Sequence, residues 1–349
     1  MGTFRLREDF RRDGLAANFL ASARTIGNLA RAIPGSIINI GYPGASHAEY
    51  LACKRIIEEV EDPAAELAVV GHACEGHLEL LVDLAQRASN TSGNIWVPVS
   101  DRFIERTMRT GEANVLERAR GLVNSWTRSS NHPIDVALAD AMQEQDRERV
   151  GHWARELLDA GARRIILCDT LGEAEPSTVA GLYEGIGVRP EHLEFHPHDD
   201  HGFAIENAGA AVEQGVDYIG SAALRAGERR TMIDTIDLKE RGALIDGEHY
   251  AAFLASYAQD IPDHQNILAT VYGERTVVTG TQYRLRGRDP SLRLLFGVTS
   301  DRHITSLMSG NNGSITARVL DALKGELYEN KIPWLDSEGL SQAVRRYVT

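Results

Sequence analysis

The stretch LEFHPHDDHGFA, Leu193 to Ala204, places five groups that bind cations or move protons within six positions: His196, His198, Asp199, Asp200 and His201. On a strand, residues two apart point to the same face, so His196 and His198 project together. Two imidazoles and one carboxylate from elsewhere in the chain make a site for a divalent cation that keeps positions open for a substrate. Asp13, in the run RRDG, is the carboxylate expected to complete it. The competing reading of an H-x-H pair is two hydrogen-bonded surface histidines. Asp200 is placed to orient a ligand, whereas Asp199 or His201 reads as a cap for a helix starting near Phe203.

The other reactive residues carry weaker signals. Cys168 lies inside a strand-like run and reads as a small buried hydrophobe. His47, His72 and His77 have no partner that spacing reveals. RLRGR (284 to 288) reads as an exposed basic strand edge or a phosphate contact, and GNNGS (310 to 314) as a loop before the helical run ITARVLDALKGEL.

Positioning these groups requires strands. Short apolar runs rich in β-branched residues stand at 36–42, 66–73, 94–100, 133–140, 164–170, 192–200 and 217–223. FRLREDF (4 to 10), more highly charged, supplies an eighth. Helical periodicity separates them, at a spacing of roughly thirty residues, the size of a βαβ unit. Eight such units by residue 242 predict an α/β fold, a (β/α)8 TIM barrel, and no G-x-G-x-x-G turn supports an open dinucleotide-binding sheet. From 243 to 349 the rhythm becomes irregular, which predicts a smaller mixed C-terminal subdomain that acts as a lid or a dimerisation element. In such a barrel chemistry collects at the carboxyl ends of the strands. Asp13, Asn39, His72, Ser100, Asp101, Asp140, Asp169, Thr170, His196 and His198 all fall there, with Glu228 and Arg229 after the last strand.

Composition narrows the partners. A formal charge of -13 argues against nucleic acid or an anionic membrane surface. Three cysteines without a C-x-x-C pair fit a reducing cytoplasm. The charged N-terminus lacks the apolar segment of a secretory signal, and no run has the roughly 18 apolar residues of a membrane span. Small molecules are the expected ligands.

FRRDG, INIGYPGAS, ILCDTLGEAEPSTV, HPHDDHGFAIENAGAAVEQGVDYI and GER follow one another in an order and spacing that resembles the DRE-TIM metallolyase superfamily. That superfamily holds isopropylmalate, homocitrate and Re-type citrate synthases and 3-hydroxy-3-methylglutaryl-CoA lyase. The match covers roughly residues 5 to 240, and TSDRHITS with the final helices is similar to the C-terminal subdomain of the homocitrate and Re-citrate synthases. The resemblance implies Asp13, His196 and His198 as ligands of Mg, Mn or Zn, and Arg12 as the cation that offsets developing negative charge. It implies Thr170 as a partner of the substrate carboxylate, Glu228 as an acid at the mouth and His303 as an acid-base group of the subdomain. Asn39, His72 and Asp140, with Tyr42 and Trp96, would line the substrate pocket. The implied reaction joins an acyl-CoA, acetyl-CoA as co-substrate, to a 2-oxo acid, in a homodimer.

The sequence also departs from the family. Met232 stands where the synthases carry asparagine in G-E-R-x-G-N, Asn39 replaces a common glutamate, and Leu15 and Ala16 replace the residues after RDG. A thioether is a poor partner for a hard cation. Asp199 adds a carboxylate that would compensate. The alternatives are a carbon-carbon lyase on the same scaffold, which the absence of cysteine from SAALRAGERRTM disfavours, and a barrel that binds a ligand without turnover.

Overall fold

The computed structural model describes residues 3–13, 19–61, 63–107, 112–144, 146–226, 231–262, 317–330, 342–343 and 346. Eight parallel strands close into a barrel in chain order. They are β1 (Arg5–Glu8), β2 (Ile37–Asn39), β3 (Glu66–His72), β4 (Thr91–Pro98), β5 (Ile134–Ala139), β6 (Arg164–Asp169), β7 (Leu193–Pro197) and β8 (Tyr218–Ser221). β1 pairs with β2, Arg7 opposite Ile37, and with β8, Arg7 opposite Gly220, so closure leaves no edge strand. The expected (β/α)8 barrel is the fold.

Around it lie α1 (Ala23–Ala32), α2 (His47–Glu59), α3 (Glu75–Ala85), α4 (Asp101–Thr107), α5 (Glu112–Ser129), α6 (Arg147–Asp159), α7 (Pro176–Gly185), α8 (Ala204–Glu213), α9 (Gly247–Asp260) and α10 (Ala317–Glu329). Side chains begin several of them: Ser22, Ser46, Asp146 and Asp246 each accept a backbone N–H from the first turn, replacing water at an otherwise unpaired donor. Alternate strand residues such as Ile38, Val69, Val97, Leu138, Leu167 and Phe195 face the helices and form the main core. α9 packs along α1, where Asp260 Oδ2 accepts from Ser22 N at 2.7 Å and Thr25 Oγ1 at 2.6 Å. The change of rhythm at residue 243 thus precedes a helix seated on the barrel's first one.

The other strand faces fill the lumen, and its lower layer is ionic. Arg7 donates to Glu194 Oε2 at 2.5 Å and to Asp135 Oδ2 at 2.5 Å, and Arg163 bridges Asp135 and Glu66. Although burial opposes ionisation, Arg7 and Arg163 hold the Asp135 carboxyl down at about 2. This explains the charge of β1: Arg7 pairs across the lumen, while Glu8, on the opposite face, accepts from Phe10 N at 2.8 Å and Ala223 N at 2.6 Å. In this layer each of Arg7, Asp135, Glu194, Arg163 and Glu66 has an oppositely charged partner, as burial requires.

Candidate active site

Above the ionic layer the same strand parity carries functional groups upward. Two residues past Arg7 comes Asp9, and two and four past Glu194 come His196 and His198, so β1 and β7 aim these side chains into one lumen. After β1 the chain turns tightly, with Arg12 N and Asp13 N both donating to Asp9 O, at 2.9 and 2.7 Å. That turn brings Asp13 beside the histidines.

Among the described residues Asp13, His196 and His198 form one cluster in which a ligand atom of each lies within 4.8 Å of the others. Asp13 Oδ2 stands 4.0 Å from His198 Nδ1, and the two imidazoles are 5.2 Å apart between centroids. Asp13 Oδ1 takes Arg12 Nη1 at 2.7 Å, whereas its Oδ2, fully buried, accepts no hydrogen bond. A buried carboxylate oxygen without a donor is costly. An oxygen in that state beside two imidazoles has the donor chemistry of a divalent-cation site, so the residues fit a metal.

Asp9 was not singled out from the sequence. It is buried, its Oδ1 takes Asn39 Nδ2 at 2.6 Å, and its Oδ2 faces His196 Nδ1 at 3.3 Å. Oδ2 makes no hydrogen bond here; a carboxylate there, accepting the Nδ1–H of the imidazole, would fix the ring's tautomer and leave the other nitrogen for a ligand. The only signal was parity, two residues beyond Arg7. Asn39, expected in the substrate pocket, bonds Asp9 and also accepts from Arg7 Nη1 at 3.4 Å.

Across the lumen stands an aromatic wall. His72, at the end of β3, packs on Trp96 with 4.2 Å between ring centroids and lies edge-on to Tyr42 at 5.5 Å. Burial, then His77 and Arg12, pushes the His72 imidazole down to about 3, so it is neutral at pH 7. His77 Nδ1 accepts from His72 N at 3.0 Å and holds the strand end. Trp96 also packs with Phe103, Ala139 and Leu171 and with Ala137, Ile166 and Cys168. Cys168 is buried, as its position in a strand run suggested, and burial pushes its thiol up.

Asp140 holds a left-handed backbone, φ 67°, uncommon outside glycine. Its carboxylate takes both Arg102 Nε at 2.8 Å and Arg102 Nη2 at 2.9 Å, together with the Ser100 hydroxyl, and its N–H donates to Thr170 Oγ1 at 2.7 Å. The ends of β4, β5 and β6 are thereby tied together. Asp169 is turned to structure, accepting from Gln143 and from Glu173 N and Ala174 N.

Asp199 does not supply the compensating carboxylate expected of it: its Oδ1 accepts from Ala204 N at 3.0 Å and caps α8, and its Oδ2 lies 3.8 Å from Arg225. Met232 is fully buried in a bridge with His198. Its methyl fills the space over Gly220, where a Cβ would lie 2.7 Å from Met232 Cε and 3.3 Å from His196 Nδ1. The thioether thus borders the histidines. Glu228, Arg229 and His303, the substituted Leu15 and Ala16, and the runs 284–288 and 310–314 lie outside the described residues. No described helix is long and apolar enough to cross a membrane.

Comparison with known proteins agrees with this architecture. A homocitrate synthase from Frankia sp. (strain FaC1) is 31% identical over 196 residues, 55% of this chain and 46% of that protein. A 2-isopropylmalate synthase from Bacillus pumilus (strain SAFR-032) is 23% identical over 199 residues, 56% of this chain and 38% of that protein. The matched region thus spans less than half the length of these relatives. Among solved structures, the hydroxymethylglutaryl-CoA lyase of Pseudomonas aeruginosa superposes with a TM-score of 0.64 at 18% identity, covering 77% of this chain and 98% of that one, a likeness of fold. The HMGL-like family model matches residues 21–238, which include both histidines and Thr170 and begin after Asp13. The chain belongs to the HMGL-like family and, through it, to the DRE-TIM superfamily.

Proposed function

We propose that this barrel catalyses a metal-dependent, Claisen-type condensation of an acyl-CoA, acetyl-CoA first among them, with a 2-oxo acid. The observation that carries the reading is the Asp13, His196 and His198 cluster with its undonated Asp13 oxygen and Arg12 alongside. Mg, Mn or Zn held by these three side chains would supply Lewis-acid polarisation of the acid's ketone. Arg12, whose side chain keeps 29% of its surface exposed, offers N–H donors to the carbonyl oxygen as negative charge gathers on it. Thr170, fixed by Asp140 N, places a hydroxyl for the acid's carboxylate. Neutral His72 and Trp96 form the wall against which the acid's side chain lies. Glu228, His303 and a homodimer enter this proposal through the resemblance alone, and a cytoplasmic location through the cysteine pattern of the sequence.

The two named synthases are relatives in sequence, which supports condensation, while the named lyase structure, at 18% identity, is a likeness of fold. Thiol release from acetyl-CoA across a panel of 2-oxo acids, with chelator and with added divalent metal, tests the reading. Metal-dependent release with one acid is the expected result. Release that ignores the chelator, or none with any acid from acetyl-CoA or from a panel of other acyl-CoAs, overturns it.

A further inference from the structure

Arg11 immediately precedes the Arg12–Asp13 pair and points the other way, where it is fully buried. Its Nη1 donates to Ile40 O at 2.6 Å and Glu49 Oε1 at 2.7 Å, and its Nη2 to Phe19 O at 2.9 Å and Glu49 Oε2 at 3.1 Å. Glu49, in the first turn of α2, is buried as completely. Its Oε1 also takes Tyr42 N at 3.1 Å, and its Oε2 takes the hydroxyl of Tyr328 from α10. Gly41 leaves the necessary room, since a Cβ there would lie 2.2 Å from Glu49 Oε1 and 2.4 Å from Arg11 Nη1. α10 is seated on the same rim by Lys324 Nζ on Ala45 O at 3.1 Å, by His47 N on Asp321 Oδ1 at 3.0 Å, and by the Tyr328 ring against Phe19 at 4.7 Å.

We propose that the Arg11–Glu49 pair is the positioning element for Arg12 and Asp13, and that Tyr328 makes its geometry depend on the docking of α10. The turn that presents Arg12 and Asp13 is closed by their two backbone bonds to Asp9 O. Where it sits relative to β7 is therefore set by the anchor on its outer side. A buried ion pair holds one geometry while its remaining lone pairs are satisfied and becomes strongly unfavourable when they are not. Removing the Tyr328 hydroxyl takes a donor from the fully buried Glu49 Oε2, and the guanidinium shifts with the carboxylate. The proposal extends the metal reading of Asp13, but its first readout is independent of any metal.

The test is Tyr328→Phe in the full chain, followed by hydrogen exchange of segment 9–13 and by titration with Mn²⁺ alone. Exchange at Arg12 and Asp13 is expected to quicken at least about threefold, and Mn²⁺ affinity to fall about 3–10-fold, below the roughly 10–100-fold of a direct outer contact because Tyr328 acts through Glu49 and Arg11. Glu329→Gln, an exposed change on the same helix, should move neither. Faster exchange confined to 43–49 and 317–329, with 9–13 and Mn²⁺ unchanged, shows that Tyr328 only docks the helix and overturns the proposal. If Tyr328→Phe does not fold, Glu49→Gln, which keeps the shape and removes the charge, is read the same way. Should the wild-type chain bind no Mn²⁺, the metal reading fails while exchange at 12 and 13 still decides this one.

Discussion

Asp9→Asn alters a side chain that lies behind the proposed ligands, and its effect should reach the cation. In the wild type Asp9 Oδ1 takes the Asn39 amide at 2.6 Å and Oδ2 faces His196 Nδ1 at 3.3 Å. Asn39 presents a donor, so an asparagine at position 9 keeps its carbonyl oxygen on that side and turns its own amide nitrogen toward His196. There it presents N–H groups where the aspartate presents an acceptor oxygen. The imidazole must then carry its proton on Nε2, the nitrogen that the wild-type arrangement leaves for a ligand. Outer contacts of this kind are worth about 10–100-fold in metal affinity, or about 1.4–2.7 kcal/mol. Calorimetric titration of Mn²⁺ into metal-free protein should therefore show binding weaker by roughly that factor. The melting temperature without metal should move little, because Asn39 keeps its partner. Affinity within twofold of wild type would refute the reasoning and reduce Asp9 to a hydrogen-bond acceptor for Asn39.

Two further outcomes follow from the buried charges. Burial pushes the Glu8 carboxyl up to about 8, against hydrogen bonds from Ala223 N, Phe10 N and Thr235 that favour ionisation. The folded chain therefore holds a proton that the unfolded chain releases above about 4.5, and the stability that this group contributes at low pH is lost as pH rises through 8. At about 1.36 kcal/mol per pKa unit the loss is at most about 5 kcal/mol. Urea unfolding from pH 5 to 9 should show wild-type stability falling relative to Glu8→Gln, and a pH-independent difference would contradict it. Gly41→Ala forces a Cβ against Glu49 and Arg11 at a backbone φ of 151°. Parting that pair should cost about 3–5 kcal/mol in a denaturant titration, whereas a loss under about 1 kcal/mol would show that the pair can move aside.

Much of this molecule was legible in its sequence. The runs at 66–73, 133–140 and 164–170 carry β-branched residues between helical periods, and each is a strand within a residue or two. His196 and His198 share a face because strand parity is a property of the backbone. Asp199 could be read as a helix cap, and the structure shows that this role engages the carboxylate that might have joined the metal cluster. β1 was the hardest strand to read, since RLRE looks like a surface segment until Glu194 and Asp135 are found across the lumen.

By itself the sequence determined the alternation of strands and helices, the parity of each strand, and so the set of polar side chains delivered to one end of a barrel. Only the tertiary structure decided which of them meet. Asp9 behind His196, Trp96 against His72, and Glu49 between Arg11 and Tyr328 join residues separated by 187, 24 and, in the last case, 38 and 279 positions. Local propensity and periodicity act over a few residues. Barrel closure fixes contacts between distant strands and helices, and there the need to pair each buried charge selects the partners.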